Sequence, residues 1–76
     1  MISIFKTNIG DEDELLSIAN TLNNKLPEIN WNVDLADCDR ILRVESTSNF
    51  NDYIISLFKK LGYMCVNLEV FYSAPK

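Results

Sequence analysis

The sequence predicts an α+β domain in which one four-stranded antiparallel sheet carries two helices on a single face, and three observations predict it. Two stretches repeat apolar residues at the helical period, four others alternate at a period of two, and the order is strand, helix, strand, strand, helix, strand. Neither helical stripe can bury itself, so both need the same sheet face. Right-handed crossovers then select the βαββαβ, ferredoxin-like sandwich, with the second sheet face open. A chain of 76 residues has room for one core and therefore one domain, spanning residues 1–76 and expected to be ordered from residue 2 to residue 72.

Residues 2–9 form the first strand, with Ile2 and Ile4 alternating with Ser3. Asp11 then caps a helix, Glu14 reaches back three residues later, and Glu12 and Asp13 place negative charge where the helix dipole is positive. Leu15, Ile18, Ala19, Leu22 and Leu26 make that helix's apolar stripe, and Pro27 follows its end. Ile29, Trp31, Val33 and Leu35 alternate with Asn30, Asn32 and Asp34 in a second strand. A polar loop over residues 36–39 turns the chain into a third strand, Ile41 to Glu45. Asn49 is the expected cap of the second helix, whose stripe is Phe50, Tyr53, Ile54, Leu57 and Leu61. Lys59 and Lys60 suit its negative end, and Gly62 suits a left-handed residue just beyond. Met64, Val66, Leu68 and Val70 mark the fourth strand, which extends toward Phe71 and Tyr72 before residues 73–76 fray. Phe5 and Ile41 are expected to be partly exposed on the open face, whereas Trp31, Phe50, Tyr53 and Phe58 are expected in the core.

Composition narrows the function by exclusion. A net charge of −4 and scattered basic residues offer no nucleic acid a cationic face. No apolar run approaches the length of a membrane span, and the first residues lack a secretory pattern, so a cytoplasmic location is expected. Histidine is absent, which removes the commonest general base and zinc ligand, and no phosphate loop or nucleophile elbow occurs. The chain reads as a non-enzyme without a cofactor.

Several residues resemble the heavy-metal-associated domain of copper chaperones and metal-pumping ATPases over about residues 2–70. Leu22 with Leu26-Pro27 looks like the end of that family's first helix, Val33-Asp34-Leu35 like its second strand, and Leu61-Gly62-Tyr63 like the close of its second helix. The resemblance implies a metal site in the first strand–helix loop, where the family carries Gly-Met-x-Cys-x-x-Cys. Here the two thiol positions fall on Asp11 and Glu14, with Asn8 and Ile9 in place of Gly-Met. Soft copper requires sulfur, and carboxylates suit harder ions.

Two weak metal candidates follow. Asp11 and Glu14 could hold a hard cation, although capping already accounts for acidic residues at a helix start. Cys38 and Cys65 gather with Asp11, Tyr63 and Met64 at one end of the sheet. With the family's strand order, however, the hairpin tip would lie two and a half spacings from the last strand, about 12 Å. That is too far for one ion or a disulfide. Cys38, between Asp37 and Asp39, reads as an inert exposed thiol, and Cys65 as a small core residue. The expected function is a protein-interaction or regulatory module with a degenerate metal site, acting through the open sheet face or an edge strand as a monomer or weak dimer. The alternative is a metal carrier using Asp11/Glu14 or Cys38/Cys65.

Overall fold

A computed structural model describes residues 1–71, and its order is β1 (Ile2–Thr7), α1 (Glu12–Lys25), β2 (Asn30–Asp34), β3 (Ile41–Glu45), α2 (Asn51–Lys60) and β4 (Cys65–Phe71). The strands form one antiparallel sheet in the order β2-β3-β1-β4, the ferredoxin-like α+β arrangement. The expected positions of Tyr72 and of the frayed tail lie outside the described residues. Among the described residues no helix is long and apolar enough to cross a membrane.

The start of α1 and the close of α2 follow their sequences. Asp11, in extended conformation, accepts the Glu14 N–H and starts α1. At the end of α2, Gly62 adopts φ +89°, its N–H donates to the Lys59 carbonyl, and the Tyr63 N–H donates to the Phe58 carbonyl. These two bonds are a Schellman closure, and the left-handed residue it needs is why glycine stands there. The start of α2 differs from expectation. Phe50 occupies the capping position without a side-chain cap, because the Asn49 carboxamide instead accepts the Asn51 N–H across a local turn.

The core consists of Phe5, Ile9, Leu42 and Val44 from the sheet side, Ile18, Leu22 and Leu26 from α1 and its end, Ile29, and Ile54, Leu57 and Phe58 from α2. Phe5 is fully buried rather than exposed on the open face. Its parity decides the strand: Phe5 lies opposite Leu42, so Ser3 and Thr7 turn inward with it while Ile2 and Ile4 turn to the open face. The buried Thr7 hydroxyl is satisfied, donating to the Arg40 carbonyl at 2.6 Å. Ile41 is half-buried.

Of the aromatic residues expected inside, Phe58 is buried and Phe50 and Trp31 pack against the core from half-buried positions. Trp31 sits on an edge strand, where its indole N–H donates to the Asn23 carboxamide at 3.3 Å. Tyr53 is instead 43% exposed, since α2 turns Ile54, Leu57 and Phe58 inward and leaves Tyr53 on its flank.

β4 departs most from its sequence pattern. Ile2, Ser3 and Ile4 lie opposite Phe71, Val70 and Glu69, whereas Phe5, Lys6 and Thr7 lie opposite Asn67, Val66 and Cys65. Leu68 is the extra residue of a bulge. The apparent stripe Met64, Val66, Leu68, Val70 is therefore split, and Met64, Val66 and Leu68 are exposed.

Candidate functional site

The end of the sheet where the family resemblance would place a metal is built from the β1–α1 loop and the head of β4. Ile9 is fully buried and anchors the loop. The Asn8 carboxamide oxygen accepts the Met64 N–H at 2.8 Å, tying loop to strand. Asp11 Oδ1 accepts the Glu14 N–H at 2.9 Å, and the Glu14 carboxylate reaches back to accept the Gly10 N–H. This is a reciprocal cap displaced by one residue, since the usual form returns to the capping residue itself. Gly10, which the sequence pattern did not single out, makes it possible: a Cβ there would come within 2.8 Å of Glu14 Oε1.

Tyr63 stands at the same end. Partial desolvation raises its pKa above the ordinary value, and the negative charges of Glu14 and Asp11 raise it further. Asp11 and Glu14 thus each make a hydrogen bond that holds the helix start, and their neighbour is a neutral phenol rather than a third ligand.

The structure does not bring Cys38 and Cys65 together. The return limb of the β2–β3 loop lies against β1, with the Thr7 N–H donating to the Asp39 carbonyl at 3.1 Å. Cys65 pairs with Thr7 from the other side. The loop therefore comes closer to β4 than the expected two and a half spacings, yet β1 still separates the thiols by about two, on the order of 10 Å. Burial pushes the Cys65 thiol up to about 12, so it stays protonated and is a poor ligand and nucleophile. Cys38 is exposed.

One grouping of ligand-type side chains occurs among the described residues: Asp37, Cys38 and Asp39, with donor atoms within 4.8 Å of one another. The loop's own bonds account for its shape. Asp37 Oδ1 accepts the Asp39 N–H at 2.8 Å, Asp39 lies 3.6 Å from the Lys6 ammonium, and Arg40 donates to the Leu35 carbonyl at 2.7 Å. Arg40 pays for this turn with a φ of +46°.

The remaining candidate surface is the sheet itself. Its open face carries Asn30, Asn32 and Asp34 from β2, Ile41, Arg43 and Glu45 from β3, and Ile2, Ile4 and Lys6 from β1. Asn30, Asn32, Arg43 and Glu45 line a shallow polar depression of about 170 Å³. A second depression of about 390 Å³ lies between α1 and the β2 edge, lined by Glu12, Leu15, Leu16, Val33 and Leu35. Neither collects a nucleophile with a base.

Comparison with protein-family models gives no match, and comparisons with curated proteins and with solved structures give no significant one.

Proposed function

We propose that the domain is a non-enzymatic protein-interaction or regulatory module, heavy-metal-associated-like in scaffold and without a working metal site, that acts in the cytoplasm through its sheet. The observation that carries this reading is the use of Asp11 and Glu14: both carboxylates are committed to closing the start of α1. Free thiols and the open sheet face are in keeping with it.

Metal titration tests the reading. Cu(I), Zn and Mn are added to reduced protein in competition with a chelator. The module reading expects no stoichiometric complex tighter than about 1 μM, or about −8 kcal/mol; a tighter complex defeats it. From the sequence a carrier is expected on Asp11/Glu14 or Cys38/Cys65; the grouping that favours a carrier is instead Asp37, Cys38 and Asp39, whose donor atoms are already close. A tight complex abolished by Cys38→Ser would establish the carrier in its place.

A further inference from the structure

The two edges of the sheet are unlike. β2 alternates Asn30, Asn32 and Asp34 with half-buried residues, which is a guarded edge. β4 is two residues longer, and four of the seven exposed large apolar side chains among the described residues, Met64, Val66, Leu68 and Phe71, lie on it or at its head. Among the described residues its outer backbone has no partner in the sheet. We infer that β4 pairs antiparallel with β4 of a second copy, about a two-fold axis that passes between Asn67 and Leu68 perpendicular to the sheet. This rests on the reading of the domain as an interaction module and names its partner.

The bulge narrows the register. Phe71, Glu69 and Val66 lie opposite Ile2, Ile4 and Lys6, on the open face; Val70, Asn67 and Cys65 lie opposite Ser3, Phe5 and Thr7, on the helix face. Residues 67 and 69 therefore point to opposite faces, which an unbulged strand would forbid. A perpendicular two-fold keeps the helices of both copies on one side, so cross-strand neighbours must share a face. An axis through Leu68 fails, because it sets Asn67 against the second copy's Glu69. Axes between Asn67 and Leu68 and between Leu68 and Glu69 both match faces; the first pairs the longer stretch, residues 64–71 rather than 66–71, and sets Cys65 against Val70, and Val66 against Glu69.

Charge agrees with that register. Glu69 is the one charged residue of β4, and the pairing never sets it against itself. It meets the second copy's Val66, whose neighbour on β1 is Lys6, so the acid of one copy stands two strand spacings, on the order of 10 Å, from a base of the other that also lies 3.6 Å from its own Asp39. At each end Met64 meets Phe71, a favourable thioether–ring pair. The edge is about 23 Å long and forms a small interface, so the dimer is weak and concentration-dependent.

The experiment is sedimentation velocity on reduced protein from about 10 μM to about 1 mM, a range suited to interfaces of this size. Val66 is 45% exposed and can be replaced without disturbing the core. Val66→Lys sets a base against the second copy's Glu69 and tightens the dimer by about three- to tenfold, whereas Val66→Glu loosens it by a similar factor. Asn24→Lys, on the exposed side of α1, makes the same charge change as Val66→Lys and leaves association within twofold of the parent. Circular dichroism confirms that each variant is folded. A chain that stays monomeric to about 1 mM, or variants at position 66 that shift association in the same direction, overturns the self-pairing. Failure of the module reading shows separately, as a tight complex in the metal titration.

Discussion

The Glu14 N–H donates to the Asp11 carboxylate over 2.9 Å, and the Glu14 side chain closes back on Gly10. Both acidic side chains are thereby committed to fastening the start of a helix. The same geometry gives the first prediction. Asp11→Ala removes the acceptor of the Glu14 N–H and is expected to cost about 0.5–2 kcal/mol of stability, measured by urea denaturation. Ion binding should not change, and an altered metal affinity in this variant would contradict the capping role.

Gly10 tests the other half of the fastening. Gly10→Ala places a methyl group 2.8 Å from Glu14 Oε1 and drives that carboxylate away from the Gly10 N–H. The carboxylate is the far end of a flexible side chain, so the expected loss is about 1 kcal/mol or less. Faster amide exchange at Gly10, read by NMR, would report the broken bond, and unchanged exchange would contradict its importance.

Gly62→Ala should be more damaging, although nothing lies within 4 Å of the added carbon. The cost is conformational: an L-residue is forced to φ +89°, and the expected loss is about 1 kcal/mol. A thermal midpoint unchanged from the parent would mean that the α2 closure relaxes without loss.

Cys65 gives a pH dependence with a defined sign. Its thiol rises from an ordinary 9.0 to about 12 in the folded chain. The unfolded chain releases the proton first, so the contribution to stability is complete below about pH 9 and is lost as pH climbs toward 12. Cys65→Ala should flatten this alkaline fall in the denaturation midpoint. In parallel, iodoacetamide should label exposed Cys38 well before Cys65, as mass spectrometry would show.

The element order, the α1 cap and the α2 closure were legible in the residues because each rests on a local rule that tertiary contacts did not override. The parity of β1 was not. Ile2 and Ile4 compete with Phe5 for the core face, and only the pairing of Phe5 with Leu42 on β3 decides between them. β4 was misleading for a similar reason: an unbroken alternation was interrupted at Leu68 by its register against β1. In the candidate site, the caps at Asp11 and Glu14 could be read from spacing. The part played by Gly10 could not, because it depends on where a flexible carboxylate comes to rest. The separation of Cys38 from Cys65 followed from strand order, but the approach of the loop to Thr7 belongs to the folded chain alone.

The β2–β3 connection looks like a free surface excursion, yet Thr7 holds its return limb through the Asp39 and Arg40 carbonyls. Its length is consequently set by the rest of the molecule. A foreign peptide spliced between Asp37 and Arg40 would pull those carbonyls from Thr7 and unseat a buried hydroxyl, whereas the exposed run Thr47-Ser48-Asn49 offers a splice point at which the sheet loses nothing.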